Sequence, residues 1–377
     1  MSLRSKRFAN STAMENAMSF DRVLITGAAG YVGSKLVPAL LSDFYEVIAY
    51  DTFWFGDHLP ASTALMRVKA DIRDIDRLRS VLLTNNVQSV IHLACLSNDP
   101  SSEIDKKLTR SINYDAFIPF VEACAEAGVE RFIFASTSSV YGVSDAPDVR
   151  EDHPHVPLTL YNTYKSWCER DLQLFCRNSG MEYVIIRPAT ICGYSPRQRL
   201  DLSVNILTNL AVNKGVITVH GGAQMRPNLH IDDMIDCYRF LLAHPFAAGE
   251  TFNVGVENVS IIGLARKVAR ICGCEGFDVP ISVEDAIDER SYQVNSDKIA
   301  RVLNFRPRKS VEMAIHDLKG AFAAGLLPNP LGDARYYNVK RMREVFSELY
   351  ADEPPTRFRP DLGVLSEIDM LREDAKR

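Results

Sequence analysis

The sequence predicts an α/β fold, a doubly wound parallel sheet with helices on both faces and a smaller α/β region after it. Three observations predict it. Short apolar runs of strand length recur at 23–25, 46–50, 66–71, 87–94, 130–135, 183–189 and 251–255. Segments with helical spacing separate the early ones, at 34–41, 75–83, 108–128 and 160–177. Strands alternating with helices of this length build parallel sheets. The first strand also runs directly into a glycine turn and a helix, the opening of a βαβ unit.

Taken in order, Val23, Leu24 and Ile25 form a buried strand, and Gly27, Gly30 and Gly33 follow at G-x-x-G-x-x-G spacing. Such glycines turn the chain tightly, let the backbone approach a pyrophosphate and let helix pack on strand. Leu36, Val37, Leu40 and Leu41 then share one side of a helix whose N-terminus favours phosphate. The second strand, 46–50, ends at Asp51, placed to bond the adenosine ribose hydroxyls and to repel a 2′-phosphate. Thr52, Phe53, Trp54 and Phe55 supply no cation for that phosphate, so NAD is expected over NADP. The third strand closes at Asp71 and Ile72, where an adenine ring could be met, and the fourth carries His92 near its end. A helix over 108–128 stops at Gly128 and carries Asn113, readable as an ordinary helix amide or as a site residue.

The strand at 130–135 leads into Ser136, Thr137, Ser138, Ser139, Val140, Tyr141 and Gly142. Hydroxyls at the carboxyl end of a parallel strand lie at the mouth of the ligand crevice, although serine and threonine also suit plain turns. After Pro157, Tyr161 and Lys165 stand four apart on one helix face, while Tyr164 points elsewhere. A free phenol has a pKa of about 10. A neighbouring ammonium together with an oxidised nicotinamide would favour phenolate, making Tyr161 a general base.

Composition narrows the setting. The 377 residues are 46% hydrophobic and 24% charged, enough for one large domain or two smaller ones. A net charge of -5 argues against a nucleic-acid surface or an anionic-membrane patch. No run reaches the roughly 20 apolar residues of a membrane span. The eight cysteines show neither C-x-x-C nor zinc-ligand spacing, so no metal is expected and a reducing cytoplasm fits. Residues 1–19 carry Arg4, Lys6 and Arg7 without an apolar core segment and are expected to be a disordered leader.

TGAAGYVG at 26–33, HLA at 92–94, STSSVYG at 136–142 and YNTYK at 161–165, in that order, resemble the extended short-chain dehydrogenase/reductases. More narrowly, they resemble the NAD-dependent sugar epimerase/dehydratase group, over about residues 22–310. The resemblance implies a Rossmann domain over 20–190 with a returning segment near 230–258. It also implies a mainly substrate-binding domain over 191–327. An extension at 328–377 exceeds the family core and has no assigned role. NAD would lie against Gly27, Gly30, Tyr31, Val32, Asp51, Asp71, Ile72, Leu93, Ala94 and Pro188, as well as Tyr161 and Lys165. Tyr161 would take a sugar hydroxyl proton as hydride leaves for the nicotinamide. Lys165 would hold the nicotinamide ribose, and Thr137 would orient the reacting oxygen beside Ser138. Asn205, Arg226 in RPNLHIDD and Arg290 in DERSY resemble contacts to a nucleotide-sugar diphosphate. His230 and Asp233 read as structural, and Cys192 as pocket-shaping or plain packing.

Where family dehydratases and decarboxylases carry an acid two places past the catalytic Ser/Thr, this chain has Ser139, which cannot take a carbon-bound proton. The reading is therefore an NAD-dependent nucleotide-sugar epimerase. The runner-up is a nucleotide-sugar dehydrogenase or ketoreductase, then a 4,6-dehydratase. A non-catalytic NAD-binding regulator is the alternative outside enzymes. The family also implies a homodimer through the helices at 108–128 and 160–177.

Overall fold

The computed structural model describes residues 22–97, 99–274, 276–285 and 291–349. Its strands are β1 (Arg22–Thr26), β2 (Glu46–Asp51), β3 (Leu65–Lys69), β4 (Ser89–His92), β5 (Arg131–Ala135), β6 (Glu182–Pro188), β7 (Thr190–Cys192), β8 (Ile217–His220), β9 (Met225–His230), β10 (Glu250–Val254), β11 (Glu257–Ser260) and β12 (Ile281–Glu284). Seven of them make one sheet in the order β10-β6-β5-β4-β1-β2-β3, every neighbouring pair parallel. The order reverses between β1 and β4, which places the crevice of a doubly wound sheet beyond their carboxyl ends. Val23, Leu24 and Ile25 are fully buried, as a strand covered on both faces requires.

The longer helices are α1 (Gly33–Ser42), α2 (Ile75–Thr84), α3 (Phe117–Glu126), α4 (Leu160–Cys176), α5 (Ser203–Lys214), α6 (Ile231–Ala243), α7 (Ile261–Cys272), α8 (Val311–Ala323) and α9 (Asn338–Leu349). A second, three-stranded sheet has the order β11-β9-β7, and β8 pairs with β12. Beside them Val204, Leu207, Val268 and Ile315 share a separate apolar cluster. The described residues through Arg341 pack as one unit and those after it as a second. Among the described residues, no helix is long and apolar enough to cross a membrane.

Two expected elements differ. The helix expected over 108–128 is broken into a short helix Lys106–Arg110, a π-turn Ser111–Asp115 and α3. Pro119 has no N–H to return to Asp115, so the ladder cannot run through. The widened turn aims Asn113 inward, where its amide accepts from Leu96 N at 2.8 Å and donates to Leu96 O at 3.1 Å. Asn113 thus holds the loop that follows β4. The sequence of 258–271 also predicts a helix capped by Asn258, and that helix instead starts at Ile261. Asn258 lies in β11 with its amide bonded to Val294 N and O (3.0 and 3.1 Å), and Ser260 caps α7 by accepting from Gly263 N.

Candidate active site

The glycine turn is a cradle fitted for NAD. Gly27 has φ +71°, and a Cβ there would lie 2.7 Å from Ala94 N and 2.9 Å from the Leu93 carbonyl carbon. A Cβ on Gly33 would stand 2.5 Å from the Gly27 and Ala28 carbonyl oxygens, so only glycine lets α1 start this close to the turn. Gly30 N bonds Gly27 O at 3.1 Å, and no side chain caps α1 at Val32. Ser34 N and Lys35 N are bonded back to Gly30 O and Val32 O (2.9 and 3.1 Å), which leaves the N–H groups ahead of Ser34 to face an anion. Asp51 closes the far side: one carboxylate oxygen accepts from Ala29 N (2.9 Å), the other from Phe53 N (2.7 Å). Burial pushes its carboxyl up against the pull of those amides and of Arg197. The Asp71 carboxylate is engaged by Arg73 at 2.7 Å, which overcomes burial and holds it below the usual range. Ile72 beside it is buried.

At the other end of the crevice, Thr159 caps α4 with its hydroxyl bonded to Asp99 at 2.6 Å. Two residues on, the Tyr161 phenol lies close enough to Thr137 for that hydroxyl to pull its pKa down. Thr137 also accepts from Ser139 N at 3.1 Å, which fixes its rotamer. The expected acidification of Tyr161 by Lys165 is corrected. The Lys165 ammonium donates to Ala135 O at 2.6 Å and lies 4.7 Å from the Phe134 ring centre. Burial foremost, then Cys95 and Asp99, hold the phenol well above the ordinary tyrosine value, opposed by Arg199 and Thr137. The two residues share a helix face, but the ammonium finds a carbonyl at the end of β5 before it reaches the phenol. Tyr164 is buried and stacks on Tyr114 with ring centres 5.9 Å apart.

Glu169, Arg187, Asn253 and Arg199, at this end, carry no local signal in the sequence. Ser136 donates to Glu169, which pairs with Arg187 at 2.6 Å; Arg187 Nη1 donates to Tyr141 Oη at 2.7 Å, and Tyr141 donates to Asn253 at 2.7 Å. All five are buried, so the network is satisfied internally and braces α4 against β5, β6 and β10. Tyr292 reaches Ser138 at 3.3 Å and Ser139 at 3.1 Å. Arg199 pairs with Asp201 at 2.9 Å and lies near enough to act on Tyr161.

The expected substrate contacts divide. Asn205 is fully buried, and its amide serves the protein: Oδ1 accepts from Gly193 N (3.0 Å), while Nδ2 donates to Tyr31 Oη (3.1 Å) and Arg199 O (2.8 Å). Its expected contact to a diphosphate is therefore revised to a clamp on the glycine-turn tyrosine, whose own hydroxyl donates to Gly193 O at 2.7 Å. Arg226 lies in β9 and is partly exposed. Arg290 lies outside the described residues. Pro188 ends β6 opposite Val254. His230 caps α6 through Nδ1, accepting from Asp232 N at 3.1 Å, and Asp233 accepts from Arg308 N and Lys309 N, as a structural reading requires. Cys192 is buried in the apolar cluster beside β7.

A parallel sheet with a glycine cradle at its switch point and a Thr–Tyr pair at its hydroxyl-rich rim defines an NAD-dependent enzyme of the short-chain dehydrogenase/reductase type. The profile of the NAD dependent epimerase/dehydratase family matches residues 23–255, and the chain belongs to that family. A Bacillus subtilis (strain 168) protein named uncharacterized UDP-glucose epimerase YtcB is 29% identical over 304 residues, covering 77% of this chain and 94% of that one. The solved structure of MoeE5 with UDP-glucuronic acid and NAD is 27% identical, with TM-score 0.72 over 81% of this chain and 99% of its own. UDP-glucuronic acid 4-epimerase from Bacillus cereus, solved with UDP-glucuronic acid and NAD, is 26% identical, with TM-score 0.70 over 80% and 99%.

Proposed function

We propose that this enzyme is a nucleotide-sugar epimerase acting on a UDP-sugar, inverting one carbinol by transient oxidation. The observation that carries the reading is Thr137 set beside the Tyr161 phenol, with a serine, not an acid, at 139. When bound, NAD⁺ supplies the hydride acceptor and a positive ring near the phenol. Tyr161 takes the hydroxyl proton of the sugar, Thr137 holds the same oxygen, and Lys165 turns from Ala135 O toward the ribose. With no carboxylate at 139, nothing at that place abstracts a carbon-bound proton, and the keto-sugar has hydride return as its outlet. Tyr161 then gives its proton back to the inverted alkoxide.

In this reading residues 20–190 hold the coenzyme and 191–327 mainly the sugar nucleotide, with Arg226 and Arg290 on its phosphates. α3 and α4 form the dimer face, which gel filtration tests: a monomer alone would remove it. The function itself is tested by NMR of the pure protein with UDP-, GDP-, CDP-, ADP- and dTDP-sugars. The reading expects epimers of a UDP-sugar without added coenzyme. Build-up of NADH in step with product would instead favour net oxidation.

A further inference from the structure

In the central sheet β1 lies between β2 and β4, so the loops after those two strands flank the glycine turn. The first turn of α9 is bonded to both. Arg341 Nε donates to Trp54 O at 2.7 Å, in the loop after β2. Asn338 Nδ2 donates to Ser97 Oγ at 2.9 Å, in the loop after β4, and Asn338 N donates to Asp201 Oδ2 at 2.9 Å. β2 and β4 themselves run about 10 Å apart across β1, and the two anchors stand in the loops that continue them.

Under this turn lies Arg197. It is 3% exposed, its guanidinium carbon stands 3.8 Å from the Phe55 ring centre, and its Nη2 donates to Asn338 Oδ1 at 2.7 Å. Its backbone N–H donates to Ser34 Oγ on the first turn of α1. Its Nε has no hydrogen-bond partner. A buried cationic donor left unmatched is costly. Beside a helix N-terminus that already favours anions, an anion is the partner that relieves it.

We propose that the first turn of α9 is a strap over the coenzyme pyrophosphate, with Arg197 beneath it as a phosphate partner, so that NAD enters and leaves only when the strap lifts. The strap deepens the epimerase reading and rests on it for its purpose. A reaction with no net redox keeps its coenzyme from one turnover to the next, whereas a net dehydrogenase would have to lift the strap every cycle. Asp201, which accepts from Asn338 N, also pairs with Arg199, so the strap and the catalytic phenol share a neighbour.

The test follows release of NADH by its fluorescence from loaded wild type, Arg341→Ala and Asn338→Ala into excess NAD⁺, with no sugar present. Each variant should release NADH about tenfold faster, the loss of one or two hydrogen bonds. Arg341 is only partly buried, so Arg341→Ala decides alone if Asn338→Ala does not fold. In parallel, Arg197→Met should weaken ADP-ribose about tenfold and leave adenosine unchanged. Release from Arg341→Ala at the wild-type rate would overturn the strap, and equal losses for ADP-ribose and adenosine would overturn the role of Arg197. Strap-dependent release in a protein that makes no epimer would sink the epimerase reading and leave the strap standing.

Discussion

The two ends of the crevice are built by different means. At the proposed coenzyme end the groups on offer are mostly backbone ones. Gly27 and Gly33 leave no room for a Cβ, α1 starts without a side-chain cap, and Asp51 is held by two amides from its own loop and the glycine turn. At the chemical end, side chains distant in sequence do the work: Ser136, Glu169, Arg187, Tyr141 and Asn253 brace the helix that carries Tyr161. The contrast teaches that a coenzyme cradle is a local object, while an acid–base residue is only as well placed as a non-local scaffold makes it.

The contrast breaks most visibly at the phenol. Tyr161→Phe should keep NAD binding, measured by calorimetry, and lower turnover by about 10²–10⁴-fold. Unchanged turnover would remove Tyr161 as the base. Next comes the scaffold: Glu169→Gln leaves Arg187 charged and unpaired in the interior. It should cost about 3–5 kcal/mol in chemical denaturation. A loss under about 1 kcal/mol would mean that water reaches the network.

At the opposite end Gly33→Ala forces a methyl toward two carbonyl oxygens at 2.5 Å. An overpacking cost of about 1–3 kcal/mol is expected, together with weaker NAD binding. An alanine variant that binds NAD as well as wild type would show that α1 can slide. The smallest effect sharpens the comparison. Because burial raises the Tyr161 phenol, the ultraviolet difference between wild type and Tyr161→Phe should show no phenolate at pH about 10 without coenzyme. A phenolate signal appearing there on NAD⁺ addition would show the coenzyme lowering the phenol. A signal already present without NAD⁺ would contradict the raised value.

Legibility in the sequence follows the same division. The glycine spacing and Asp51 were readable because a tight turn and a strand end impose residue types a few positions apart. The strands of the central sheet were readable from apolar runs, to within a few residues at their ends. Helical periodicity alone could not register the π-turn at Ser111–Asp115, although Pro119 was a visible warning. Two residues in ENVSIIG can cap a helix, and the tie from Asn258 to Val294 decided for Ser260. The face shared by Tyr161 and Lys165 was legible, but not the rotamer that sends the ammonium to Ala135 O. Arg197 reaches Phe55 from 142 residues away in the chain, and nothing in Thr52–Phe55 announces it.

The central claim is hydride removal and return at one carbinol, with Tyr161 handling only the oxygen-bound proton. It is tested most directly by running the turnover of the preferred UDP-sugar in deuterated water and reading the product by NMR. The inverted carbon should keep its original hydrogen, because only the hydroxyl proton exchanges with solvent. Deuterium at the inverted carbon would mean that a base had removed a carbon-bound proton, and would contradict it.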